Sequence, residues 1–256
     1  ICEGEGEELL PELATALENG DDIGSLLNLT IKHKNGKIYR SGNEIALEDL
    51  PTGDDFRGQK TGLRRPQTHM GNVLQTPDYS IYDDKRFWKK MGGKAVRTAA
   101  MELSRGCPYK CTFCCVPMQQ KQHKAAKNQF QTYLEMQGIQ TVIPEPDPYH
   151  REKPIEKFLD ELKIAQDSHG IDFVYFTDES FLSMNKRRFW EFIEAYSEFK
   201  LPFFIESRVE TIHPGHAEAL EDVGCAGIAM GVESGSLEVR KSLLKRLMPD
   251  SVIVQG

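Results

Sequence analysis

Three closely spaced cysteines carry the clearest chemistry in the sequence. Cys107, Cys111 and Cys114 have a C-x3-C-x2-C spacing and follow an apolar run that ends at Leu103. Thiolates in so short a loop suit one face of a 4Fe-4S cluster, and a cluster used only for electron transfer is normally held by four thiolates. Because three ligands leave one iron open to another molecule, the loop predicts an iron–sulfur cluster with a catalytic role.

Two other interpretations of the cysteines stay open. A structural zinc site could recruit Cys115 as a fourth ligand, or two of the thiols could form a redox disulfide. Zinc sites usually combine two well-separated C-x2-C pairs, which this chain lacks, so the cluster is favoured. The 6 cysteines do not form the even framework of a secreted disulfide protein, and thiolates that must stay reduced predict a cytoplasmic location.

Composition narrows the class of partner. The chain has 256 residues, 39% hydrophobic and 28% charged, and its net charge of -7 is unlike the basic surface that nucleic-acid binding usually requires. No stretch approaches the ~18 consecutive apolar residues of a membrane span. We therefore expect a small-molecule substrate and neither a membrane nor nucleic acid as partner.

Because the chain starts at Ile1 and stops after a strand-like run, we also expect a fragment of a longer protein.

The elements that position the cysteines follow a smaller first unit. Residues 1–50 contain one helical pattern that stops at Gly20 and a hairpin whose turn is Asn35-Gly36. Residues 51–92 are rich in Gly, Pro, Asp, Arg and Gln, which predicts an irregular linker. The sequence thus predicts a small α+β tail of an amino-terminal domain, then a linker, then a core over residues 93–256.

Strands alternate with helices from residue 93 onward, which predicts an α/β fold with a parallel sheet and right-handed crossovers. The predicted strands are 95–103, 172–176, 202–207 and 226–232, the helices begin at Pro154, Ser183, Pro214 and Ser236, and a further strand begins at Ser251. This is a partial (β/α) TIM-like barrel, truncated after about four βα units. Residues 118–150 exceed a simple crossover and are predicted to be an insertion.

The cysteine loop, with Phe113 just before its last cysteine, resembles the radical S-adenosylmethionine (SAM) superfamily. In addition, the stretch Gly227–Ser236 resembles the family's G-x-I-x-G-x-x-E stretch and the G-V-E-S-G-S form of its cobalamin-associated branch. The resemblance implies a 4Fe-4S cluster on the three cysteines, with SAM on the open iron. It also implies that Phe113 lies near the SAM adenine.

Further SAM contacts are expected where the strands end, since active sites of such barrels lie on the loops at the carboxyl ends of the strands. Asp178 and Glu179 follow the second strand, where the family places acceptors for the methionine amino group. Arg208 ends the third strand and could pair with the SAM carboxylate. Glu233 and Ser234 follow the fourth strand and would face SAM. A turn with a helix cap, or a surface ion pair, would explain the same residues structurally.

The resemblance implies an enzyme, although no side chain is identified as catalytic. An electron delivered to the cluster, by a reductant such as flavodoxin or ferredoxin, would cleave SAM to methionine and a 5′-deoxyadenosyl radical. Methylation or rearrangement of an unactivated carbon is the expected outcome. The alternatives are a methylthiotransferase and a non-enzymatic iron–sulfur electron carrier or sensor.

Cobalamin is expected only through a portion upstream of this chain. The D-x-H-x-x-G signature of the cobalamin domain is absent, because Ile31 stands where an Asp would be needed before His33 and Gly36.

Overall fold

The computed structural model describes residues 6–40, 43–45, 76–136 and 149–255. The chain divides into two compact units, residues 1–74 with 115–149, and residues 75–114 with 150–256. Residues 51–75 of the expected linker and 137–148 of the expected insertion lie outside the described residues. The domain boundaries drawn from the sequence therefore stay predictions.

The first unit contains the helix and hairpin expected from the sequence. Its elements are α1 (Leu9–Asn19), β1 (Thr30–Lys32), β2 (Ile38–Arg40), β3 (Asn43–Ile45) and α2 (Val116–Met136). Gly20 ends α1 in the left-handed conformation, at φ 74°, which a residue without a Cβ adopts at no steric cost. Strand β3, which pairs with β2, was not predicted, and α2 shows that the expected insertion begins as a helix.

The second unit is built on a mixed five-stranded sheet of order β10-β9-β8-β5-β4. The strands of this unit are β4 (Trp88–Met91), β5 (Lys94–Met101), β6 (Ser104–Arg105), β7 (Arg151–Glu152), β8 (Phe173–Phe176), β9 (Phe203–Arg208) and β10 (Cys225–Gly231). Strands β5, β8, β9 and β10 run parallel, and β4 is antiparallel to β5. The predicted α/β class and partial barrel are confirmed, whereas β4 was not predicted.

The helices of this unit correct two sequence predictions. They are α3 (Ile155–His169), α4 (Lys186–Tyr196), α5 (His216–Asp222) and α6 (Asp250–Gln255). Helix α4 is capped by Asn185, whose side chain accepts from the Arg188 amide at 3.0 Å, so Ser183 as its cap was wrong. The strand from Ser251 was also wrong, because Pro249 and Asp250 supply helix-start chemistry that overrides the β propensity of the Val-Ile-Val run.

The segment after β10 also differs from its prediction. The helix expected from Ser236 onward is present over residues 237–243, but its last five residues, Val239–Leu243, are π-helical, and Lys245 then takes a left-handed φ of 54°. Single π-turns of this kind are rare and often occur at functional sites.

The core lies against one face of the sheet. Alternate residues of the strands are buried there, such as Val174 and Phe176 in β8 and Phe203 and Ile205 in β9, and they pack with aromatic and aliphatic side chains of α3 and α4. The residues between them, among them Glu206, point to the other face and are less buried. The carboxyl ends of the strands, where the cysteine loop begins, therefore border this more open face.

Candidate functional site

The cysteine loop leaves β5 through a short amino-terminal limb, Leu103–Gly106, that a buried carboxylate holds. Asp178 accepts hydrogen bonds from the Leu103 amide at 3.0 Å and from the Ser104 hydroxyl at 2.6 Å. Only 2% of Asp178 is exposed, and this burial raises the pKa of its carboxyl to about 6. Asp178 thus holds the first residues of the loop in place from the protein interior.

Three further contacts fix the same limb. Glu179 accepts from the Gly106 amide at 3.0 Å, and Gly106 has a φ of 83° that suits glycine. The Leu103 carbonyl accepts from the Lys153 amide at 2.8 Å and from the Arg188 guanidinium at 3.3 Å. The backbone donors and acceptors of the limb are therefore largely satisfied before the first cysteine is reached.

The cysteine side chains differ in exposure. Cys111 is buried, Cys107 is half-buried, and Cys114 and its neighbour Cys115 are exposed. Burial raises the pKa of the Cys107 thiol. The far side of the loop is docked through Thr112, whose hydroxyl donates to the Leu243 carbonyl at 2.6 Å. The loop is thus anchored on both sides of Cys111.

Arg208, at the end of β9, contacts the loop directly. Its Nη1 donates to the Cys111 Sγ at 2.9 Å, and its guanidinium carbon lies 3.8 Å from the centre of the Tyr109 ring. Its Nε donates to Glu210 at 3.0 Å, and Nη2 pairs with the same carboxylate. A cation over an aromatic face and a two-point contact with a carboxylate both favour one fixed orientation of the guanidinium.

Two ion pairs connect Glu210 to Glu233, which follows the end of β10. Arg246 donates to Glu210 at 2.9 Å and to Glu233 at 3.0 Å, and only 2% of Arg246 is exposed. Glu233 has a φ of 68°, an uncommon conformation for a residue other than glycine. A Cβ added at Gly231 would lie 2.4 Å from Glu233 Oε1, so any larger residue there would displace this folded-back carboxylate.

The turn after Glu233 is fixed by another buried arginine. Arg240, with 0% exposed, donates to the Ser234 carbonyl at 2.7 Å and to the Met248 carbonyl at 3.1 Å, and it pairs with Asp250. The Ser234 hydroxyl accepts from the Ser236 amide at 3.1 Å. The β10 turn is therefore tied to the start of α6.

The structure brings several predicted site residues into one region. Cys111, Arg208 and Glu233 belong to one hydrogen-bonded network, and Glu179 holds the glycine before Cys107. Asp178 faces the protein interior and Phe113 is 51% exposed. Contact of Phe113, Asp178, Glu179, Arg208, Glu233 and Ser234 with SAM stays a prediction.

Sequence reasoning missed Glu210, Arg240 and Arg246, although these side chains complete the network. Glu210 lies a few residues after the predicted third strand, and this position was the signal in the sequence that could have identified it as a site residue. The two arginines lie in a segment that mixes charged residues with Leu, Val and Met, where the helical spacing does not identify a buried arginine. The Glu210 partner of Arg246 is also 36 positions away in sequence.

The donor set fits an iron–sulfur cluster. Among the described residues, no three His, Cys, Asp or Glu side chains surround a point suitable for one metal ion. A cubane cluster needs a different arrangement of ligands, because each thiolate binds a separate iron. Three cysteine side chains on one anchored loop suit this arrangement, and the Arg208 guanidinium beside the buried sulfur of Cys111 balances part of the thiolate charge.

Comparison with known proteins gives a family match over most of the second unit. The model of the Radical SAM superfamily matches residues 101–250. An uncharacterized methyltransferase of Pyrococcus horikoshii is 24% identical over 255 residues, which are 99% of this chain and 44% of that protein. The chain thus spans less than half the length of this relative.

No helix in the described part of the chain has the length and apolar character needed to cross a membrane.

Two solved structures share the fold. The cobalamin-dependent S-adenosylmethionine radical enzyme OxsB, with aqua-cobalamin bound, has a TM-score of 0.59 and 20% identity, over 99% of this chain and 30% of that one. The radical S-adenosylmethionine methyltransferase TsrM of Kitasatospora setae, with tryptophan and a SAM analog bound, has a TM-score of 0.57 and 16% identity, over 93% of this chain and 38% of that one.

Proposed function

The chain belongs to the radical SAM superfamily, and from this membership we propose that it forms most of the radical-generating core of an enzyme. Cys107, Cys111 and Cys114 hold a 4Fe-4S cluster, and SAM binds at the iron that they leave open. The observation that carries the proposal is the loop with three cysteines, which is anchored on both sides of Cys111 at the carboxyl ends of the parallel strands.

Held by Cys107, Cys111 and Cys114, the cluster would supply the one electron, received from an external donor, that reductive cleavage of SAM to methionine and a 5′-deoxyadenosyl radical needs. The residues of this chain place the reactants. Asp178 and Glu179 fix the loop, Arg208 lies against the buried ligand sulfur, and Glu233 offers a carboxylate at the end of β10. Phe113, exposed beside Cys114, is available to cover the adenine.

Methylation of an unactivated carbon of a small molecule is the proposed reaction, with cobalamin as a further cofactor. The Pyrococcus relative, described as a methyltransferase, supports the transfer, and the cobalamin-dependent OxsB supports the cofactor. In this proposal residues 1–50 are the tail of the cobalamin-binding domain, residues 93–256 are the incomplete radical core, and a flavodoxin or ferredoxin in the cytoplasm is the electron donor.

Anaerobic reconstitution of the full-length protein tests the proposal. With iron, sulfide, dithionite and SAM, the wild-type protein should produce 5′-deoxyadenosine, and SAM should change the electron paramagnetic resonance (EPR) spectrum of the cluster. Absence of both results would refute the enzyme and leave an electron carrier or sensor.

A pair of cysteine variants tests the ligand assignment. Cys111→Ala should lose the cluster. The matched control is Cys115→Ala, which removes an exposed thiol one residue beyond the triad and should keep full iron content. A large loss of bound metal in Cys115→Ala would instead support a site with four thiolates.

A further inference from the structure

We infer that Arg208 raises the reduction potential of the cluster through its hydrogen bond to Cys111. The inference rests on the proposed function, because it needs Cys111 to be a cluster ligand. It gives Arg208 a role that is separate from pairing with the SAM carboxylate. Arg208 acts through the ligand sulfur, so it is a positioning residue and not a catalytic one.

The first support is the geometry of the contact. Nη1 of Arg208 lies 2.9 Å from the Cys111 sulfur, and Cys111 is 8% exposed. Hydrogen bonds to ligand sulfurs, and the charge around them, are among the factors that set the potential of an iron–sulfur cluster. A charge at this distance has a larger effect where water is largely excluded than at an exposed sulfur.

The second support is that other protein side chains orient Arg208. Two of its nitrogens bind the Glu210 carboxylate, and the guanidinium lies over the Tyr109 ring, which leaves Nη1 directed at the sulfur. These contacts fix the distance between the guanidinium and Cys111.

The sign of the effect follows from the charge change on reduction. The reduced cluster carries one more negative charge than the oxidised cluster, so a nearby cation stabilises the reduced form and raises the potential. Glu210 opposes Arg208, because its carboxylate offsets part of the guanidinium charge. Removal of the arginine and neutralisation of the glutamate should therefore shift the potential in opposite directions.

The experiment is a redox titration of the reconstituted full-length protein without SAM, followed by the EPR signal of the reduced cluster. Arg208→Met should lower the midpoint potential, and Glu210→Gln should raise it. The control is Arg187→Met on α4, whose side chain is 82% exposed and pairs with Glu191 on the same helix, and which should leave the potential unchanged.

Two results would overturn the inference. One is an unchanged potential in both Arg208→Met and Glu210→Gln with full iron content. If SAM affinity alone then falls in Arg208→Met, Arg208 pairs with SAM. The other is a shift of both variants in the same direction, which would indicate a disturbed loop.

Failure of the proposed function is recognised separately, by the absence of a cluster signal or of 5′-deoxyadenosine in the wild-type protein. If Arg208→Met does not retain iron, Glu210→Gln decides the test alone, since Glu210 does not contact a cysteine. An unchanged potential in that variant overturns the inference.

Discussion

The amino-terminal limb of the cysteine loop and the turn at the end of β10 border the same site but are held in different ways. In the limb, Leu103–Gly106, carboxylates accept hydrogen bonds from backbone amides. In the β10 turn, the Glu233 side chain is held by an ion pair to Arg246, in a left-handed backbone conformation. Backbone bonds fix the loop before a ligand arrives, whereas an ion pair can exchange with the charges of a ligand.

The typical free energies of the two kinds of contact agree with this difference between the limb and the β10 turn. A hydrogen bond to a charged group contributes about 1.5–3 kcal/mol, and a buried donor left without its acceptor costs a similar amount. An ion pair that is partly exposed contributes about 0–1 kcal/mol. We therefore expect changes at Asp178 to affect folding and cluster assembly together, and changes around Glu233 to affect ligand binding more than assembly.

The largest expected effect follows removal of the buried carboxylate. Asp178→Ala leaves the Leu103 amide and the Ser104 hydroxyl without an acceptor, which should lower the free energy of unfolding by about 3–5 kcal/mol and reduce iron content. Asp178→Asn keeps one acceptor and should lose less. Denaturant unfolding and iron analysis measure both quantities. Normal iron content in Asp178→Ala would show that the limb does not depend on this carboxylate.

The titration of Asp178 gives a related prediction for the same limb. Because burial raises its pKa from 3.8 to about 6, folding favours the protonated carboxyl. This contribution is fully present below pH 3.8 and is lost as the pH rises through about 6. Wild-type stability should therefore fall between these pH values relative to Asp178→Asn, measured at equal iron content. A constant difference between the two proteins would contradict the assignment.

A smaller effect is expected from loss of the buried arginine at β10. Arg246→Met leaves Glu210 and Glu233 without their shared partner and should lower stability by about 1–3 kcal/mol. The cysteine loop keeps its own contacts, so iron content should be unchanged while SAM affinity falls. Calorimetric titration of SAM into the reconstituted protein measures the affinity. A parallel loss of iron would mean that the two regions are not independently held.

The smallest effect is expected from one added methyl group. In Gly231→Ala the new Cβ would lie 2.4 Å from Glu233 Oε1, so the carboxylate must move, at a cost of about 1 kcal/mol. Gly235→Ala in the same turn is the control, because nothing lies within 4 Å of its added Cβ. SAM affinity should fall in the first variant only. Equal affinities would show that the position of Glu233 does not matter for binding.

Features with a local signal were predicted from the sequence. The cysteine spacing, the alternation of strands and helices, and Gly20 as a helix end each depend on neighbouring residues. Asp178 was identified as a site residue, but its partners in the loop lie 75 and 74 positions away in sequence. The burial of Asp178 is a consequence of the fold and has no local signal. The sequence pattern by itself favoured a contact between Asp178 and a ligand.

The errors have the same physical origin. Val252-Ile253-Val254 has strand propensity, yet Asp250, at the start of α6, pairs with the buried Arg240. This ion pair adds to the helix-start chemistry of Pro249 and Asp250, and together they outweigh the local strand preference. The arginines of the charged network could not be predicted, because an arginine is ordinarily exposed.

The two edges of the five-stranded sheet differ in what they present to other molecules. Strand β4 carries Lys89 and Lys90, both exposed, and lysines on an edge strand oppose pairing with another chain. Strand β10 has no charged residue, and Met230 on it is 39% exposed. The β10 edge therefore lacks the charges that oppose strand pairing at β4, and this edge, next to Glu233, is the one suited to pair with a further strand.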